Sequence, residues 1–105
     1  LLLKILNLNF AIILMRYFTS REFDRRLGKL PMERKDRAKK SIDMAVAFFE
    51  KGELPQGLGM KPLGHDLWEI RAGLLDRVIF HKHGNVIKFL LVGTHDEIRR
   101  FLKEY

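Results

Sequence analysis

Read by its alternation of apolar and polar positions, the chain divides into a strand, a pair of helices, three more strands and a last helix. Ile12 to Phe18 is largely apolar and β-compatible, which predicts a first strand. Thr19-Ser20-Arg21-Glu22 then has the form of a capping box, with Phe18 and Phe23 placed as its hydrophobic staple. Phe23, Leu27 and Leu30 share one side of the helix that follows. Pro31 suits a new first turn, and from Met32 to Lys51 the residues Ala38, Ile42, Ala45, Val46 and Phe49 recur at helical spacing. Gly52 to Gly59 (GELPQGLG) ends that helix in a loop.

Leu67-Trp68-Glu69-Ile70-Arg71 alternates as a strand, and Ala72-Gly73 closes it. Arg77 to Lys82 is the next strand, turning at His83-Gly84-Asn85 into Val86 to Val92. That last run is nearly all apolar, as expected of a strand covered on both faces. Thr94-His95-Asp96-Glu97 is a second capping box, opening a helix whose buried stripe is expected to be Ile98, Phe101, Leu102 and Tyr105. The order β-α-α-β-β-β-α predicts an α+β fold: a four-stranded, mainly antiparallel sheet, a helical hairpin (Thr19–Lys51) on one face, and a short C-terminal helix. The hairpin must lie on the sheet, because neither has enough apolar surface to stand alone.

The opening LLLKILNLNFAIIL is shorter than the roughly 20 apolar residues of a membrane span and is broken by Lys4, Asn7 and Asn9. It lacks a signal peptide's cationic start and small-residue cleavage site. Met15 stands where a start would fall, so residues 1–14 are expected to be an extension or fragment boundary and residues 15–105 a single domain. A length of 105 residues leaves room for one modest core.

Charge narrows the partners. The chain carries 20 Lys and Arg against 13 Asp and Glu, a net +7 with a pI near 10.0. Between Arg16 and Lys40 ten basic residues face four acidic ones, so most of the surplus sits in the hairpin. A concentrated positive field attracts nucleic acid, acidic lipid or an acidic protein. The absence of cysteine excludes disulfides, thiolate nucleophiles and cysteine-based zinc sites.

His95 is the first candidate for chemistry. It follows a cap in the first turn of a helix, where free amides favour anions and the neutral imidazole. A neutral histidine beside a phosphate can take a proton, then return it; at the same position it serves equally as a surface residue behind a cap. Arg71 ends one strand and Arg77 begins its partner, so the two are expected to lie close and clamp a phosphate. Equally, they are exposed sheet arginines bridged to Glu69 and Asp76. His81 and His83 have no third ligand at familiar spacing, so no metal is expected. Trp68 alternates with Ile70 into the core rather than stacking on a base.

Pro62-Leu63 with Leu67 to Arg71, then Asp76 to Phe80, then Val86 to Val92 resemble the "pL.g.LwElR", "yRviY" and last core strand of the RelE/ParE superfamily of bacterial toxin–antitoxin modules. Val92-Gly93-Thr94-His95 resembles the "GTH" end of its YafQ- and HigB-like branches. The resemblance covers residues 15–105. It implies a cytoplasmic mRNA endonuclease, cutting in the ribosomal A site without metal or cofactor, neutralised by a cognate antitoxin and independent of membranes. His95, Arg71 and Asp76 would be catalytic; Lys61, Arg77 and His65 would hold RNA phosphate. Two departures stand out: Phe80 replaces the closing tyrosine of "yRviY", and Tyr105 lies ten residues past His95, where core packing is expected. The ParE branch keeps the fold and inhibits gyrase without catalysis, and a plain basic nucleic-acid-binding module is the remaining alternative.

Overall fold

The structure, a computed structural model, describes residues 14–105. The Ile12 start read for the first strand, and the reading of residues 1–13, therefore lie outside the described residues. Eight elements follow: β1 (Arg16–Thr19), α1 (Arg21–Lys29), α2 (Met32–Lys51), β2 (Lys61–Gly64), β3 (Leu67–Ala72), β4 (Asp76–His83), β5 (Val86–Thr94) and α3 (His95–Glu104). They form one five-stranded sheet in the order β1-β5-β4-β3-β2, with β1 parallel to β5 and every other pairing antiparallel.

The sheet has five strands where four are expected. β2 is the Lys61-Pro62-Leu63-Gly64 stretch, whose proline and glycine mimic loop signals. It is tolerated because it lies at the edge, where a proline lacking an N–H costs the ladder nothing.

The first cap also differs. The N-cap is Ser20, whose Oγ accepts from the Phe23 N–H at 3.0 Å and donates to the Leu90 carbonyl at 2.9 Å. Thr19 is held instead in β1, opposite Phe89. With the cap moved one residue on, Glu22 cannot close a box; its carboxylate receives Arg25 and Arg26, each at 2.6 Å. The staple is likewise missing. Phe18 is 43% exposed under the Arg16 guanidinium, while Phe23 is buried against Phe89.

The hairpin covers one face of the sheet as expected. Phe23, Ala38 and Ala45 bury against Ile70, Val78, Phe80, Ile87 and Phe89. Phe80 meets Phe49 edge-on and tilts against Phe89, which gives its fully buried ring an apolar seat. α3 covers the opposite face, burying Ile98 among Leu67, Ile79 and Leu91. β5 is thus sandwiched, which explains its unbroken apolar run. Phe101 and Leu102 join this second core, but Tyr105 is 63% exposed, its ring tilted against that of Phe101 beyond the helix end. Among the described residues, no helix is long and apolar enough to cross a membrane.

Candidate active site

Strand register brings the sequence candidates together at one end of the sheet. Arg71 in β3 lies opposite Arg77 in β4, and Arg77 lies opposite Gly93 in β5. The next row is Ala72, Asp76 and Thr94. Alternation puts Arg71 and Arg77 on the same face, the one α3 covers, with neighbouring strands about 4.8 Å apart. His95, exposed, is the first residue of α3 and directly follows the Thr94 row.

The turn into α3 is tightly specified. Thr94 Oγ1 accepts from the Glu97 N–H at 3.3 Å, and the Thr94 N–H donates to Glu97 Oε1 at 2.8 Å, closing the expected capping box. Gly93 makes room for it: a Cβ there would stand 2.7 Å from Glu97 Oε1. Glu97 Oε2 also receives Arg26 of α1 at 2.9 Å, tying the start of α3 to the hairpin. The Thr94 amide above all, with Arg26 helping, holds the Glu97 carboxyl below the usual carboxylate range despite its partial burial. A carboxyl depressed by folding stabilises the fold above its unfolded pKa, and that contribution is lost as pH falls through the folded value. Thermal unfolding measured across the acid range should therefore show Glu97→Gln losing its deficit against wild type as pH drops below the ordinary carboxylate pKa. A deficit that stays constant with pH would refute this.

Lys61 and Arg77 converge on Glu69. Its carboxylate, 9% exposed, lies 3.6 Å from Lys61 Nζ and 3.7 Å from Arg77 Nε. Arg77 also donates to the Asp76 carbonyl at 3.1 Å. The bridge to Glu69 anticipated for the arginines is thus present for Arg77. Arg71 differs: it is exposed and has no carboxylate partner among the described residues. Its N–H donates to the Leu58 carbonyl at 2.8 Å, and its stem lies over Gly59, where a Cβ would sit 3.1 Å from Cγ, Cδ and Nε.

Two candidates stand elsewhere. Asp76 is 1% exposed on the hairpin face, and its two oxygens accept from Arg34 Nε at 2.8 Å and Nη2 at 2.6 Å. Strand alternation therefore separates it from the face carrying Arg71 and Arg77. His65 sits in the β2–β3 turn with φ 53°, at the opposite end of β3, bordering a cavity of about 510 Å³ with Leu63, Leu67, Leu102 and Tyr105. It does not join the arginines. His83 meets Asp66 at 3.3 Å, and the described residues hold no group of three or more His, Asp or Glu side chains arranged for a metal. Trp68 packs partly buried against the hairpin core, as its alternation implies.

Sequence reasoning missed Arg34 and Arg26, whose partners lie 42 and 71 residues away. Neither pair leaves a local trace. What remains is an exposed unpaired guanidinium, two further cations around a buried carboxylate, and a histidine at the adjoining helix start. Such a group can bind an anion and exchange a proton with it.

The sequence matches no protein-family profile and no curated protein. Solved structures do resemble it. The RelB–RelE antitoxin–toxin complex of Methanococcus jannaschii contains a chain with TM-score 0.62 and 21% identity, over 80% of this chain and 96% of that one. YafQ of E. coli in the DinJ–YafQ complex gives TM-score 0.65 at 17% identity, over 80% and 97% of the two chains. The YoeB dimer of Staphylococcus aureus gives 0.60 at 15%, over 77% and 97%. The architecture is the RelE-like α+β fold.

Proposed function

We propose that this chain is the toxin of a toxin–antitoxin module and cuts mRNA without a metal ion. The observation that carries the reading is the register: Arg71 and Arg77 face the same way on adjacent strands, and their row runs through Gly93 into Thr94-His95. The RelE-like fold supports it, and the solved complexes with RelB and DinJ favour an antitoxin as partner.

RNA supplies its own nucleophile. The 2′-hydroxyl attacks the adjacent phosphorus, a 2′-O–P bond forms, and the bond from phosphorus to the 5′-oxygen breaks. The products are a 2′,3′-cyclic phosphate and a 5′-hydroxyl. His95 takes the proton from the attacking hydroxyl, and the departing 5′-oxygen takes one up from water, so the proton count balances. Arg71, whose planar fork matches two phosphate oxygens, offsets charge on the phosphorane, and Arg77 and Lys61, which share the Glu69 carboxylate, add one net positive charge. Asp76 contributes from the other face by anchoring the start of β4 through Arg34. An mRNA substrate goes with a cytoplasmic site of action.

The test is cleavage-site mapping on mRNA, with and without ribosomes, and in the ribosome-free arm with and without a chelator. Cyclic-phosphate ends are expected in every arm where cleavage occurs; cleavage that stops on chelation, or none in any arm, refutes the reading. Arg71→Lys should lower the rate by about 10²-fold, the scale for losing one well-aimed charge-stabilising donor, although the charge is kept. A rate equal to wild type would show that the fork is not used.

A further inference from the structure

The turn between β3 and β4 breaks an ordinary rule of surface composition. Its residues are Gly73-Leu74-Leu75; Leu74 is 98% exposed and Leu75 58% exposed. They border a cavity of about 580 Å³ between α2 and the Pro55–Gly59 loop, with Met44 and the buried Leu58 on its walls. Two guanidiniums flank it, Arg37 from α2 and Arg71 from β3. Both are set against glycine backbone. A Cβ at Gly73 (φ 80°) would stand 2.7 Å from Arg37 Cδ, and Gly59 (φ 65°) lies under Arg71. Arg37 has one weak carboxylate contact, with Glu33 at 3.9 Å, and both side chains there are more than half exposed.

We infer that this turn is a docking surface for an acidic, aliphatic-rich peptide segment of a protein partner. The inference rests on the toxin reading only for the expectation that such a partner exists. Paired exposed leucines at a turn tip gain by being covered, and the arginine forks match carboxylates. Among the described residues no acidic side chain lines the cavity to cancel the two charges. The apolar part of the lining is Met44, Leu58, Leu74 and Leu75, and among the described residues no aromatic ring is there for a nucleobase to stack on. Those features favour leucine and glutamate side chains over RNA. The surface shares Arg71 with the phosphate site, so a carboxylate docked here takes the same guanidinium that the scissile phosphate would use. A partner so docked competes with RNA directly.

The experiment uses the full chain and two fluorescein-labelled amphipathic peptides, one of leucine and glutamate and one with lysine for glutamate, read by fluorescence anisotropy. The glutamate peptide should bind and the lysine peptide should not. The Leu74→Ser/Leu75→Ser double variant should weaken binding by at least about tenfold, as expected for apolar anchors at an interface. Arg37→Gln, on a separate element, should weaken it too, while Lys88→Gln, exposed on β5, should leave it unchanged. Equal binding of both peptides, or wild-type affinity in the double variant with its fold intact by circular dichroism, overturns the inference. So does an RNA oligonucleotide whose affinity falls as far as the peptide's in that variant. Peptide binding is read without RNA: a chain that cuts no RNA yet binds through Leu74 and Leu75 keeps this inference and discards the nuclease reading.

Discussion

His95→Ala should remove most RNA cleavage, by about 10²–10⁴-fold, the usual worth of a positioned acid–base group. Stability should hardly change, because His95 is exposed and substitutions at exposed positions away from caps usually stay within about 0.5 kcal/mol. The capping box survives as well, since Thr94 and Glu97 make it without the imidazole. The pH profile is the sharper measurement. A histidine must be neutral to act as a base, so the wild-type rate should rise with pH in a way that the variant's does not. A His95→Ala enzyme cutting at the wild-type rate would remove proton transfer by this residue from the mechanism. The positive face would then be a binding surface only, as the gyrase-type alternative requires.

Asp76→Ala has the largest expected effect on folding. It leaves Arg34 without the carboxylate that holds it at two points, in a place where Asp76 is 1% exposed. Breaking one half of a buried ion pair costs about 3–5 kcal/mol, a large share of the about 5–15 kcal/mol that holds a domain together. Replacing both residues by apolar ones of similar volume should cost much less, since no charge is then orphaned. Urea unfolding of the two single variants and the double variant measures the coupling directly. Additive losses would mean the pair contributes nothing as a pair. The same series separates anchoring from catalysis: at temperatures where Asp76→Asn stays folded, it should retain cleavage, and selective loss of activity would return Asp76 to the chemistry.

Much of the fold is legible along the chain, and the reasons for the failures are specific. The apolar run Val86 to Val92 signals a strand covered twice, and it is. Thr94 and Glu97 fix the start of α3 because that cap is closed by neighbours in sequence. The first cap misleads because Thr19 and Ser20 are both good caps, and the choice between them is made by Phe89 across the sheet. β2 hides behind Pro62 and Gly64, whose tolerance depends on an edge position no local pattern announces.

The site divides the same way. Alternation along β3 sets Glu69, whose carboxylate meets Arg77, on the face opposite Ile70. The burial of Glu69, however, depends on β2 bringing Lys61 beside it. Asp76 and Arg77 are adjacent in sequence and face opposite ways, so one motif read as a unit splits across two sides of the sheet.

The glycines beneath Arg37 and Arg71 have an entropic consequence. A free arginine carries about 2 kcal/mol of rotamer entropy, which any ligand must overcome when it fixes the guanidinium. A stem already resting on bare backbone has surrendered part of that freedom during folding. An anion arriving at this end of the sheet therefore meets two forks whose reach is already narrowed, and less of its binding energy goes into ordering them.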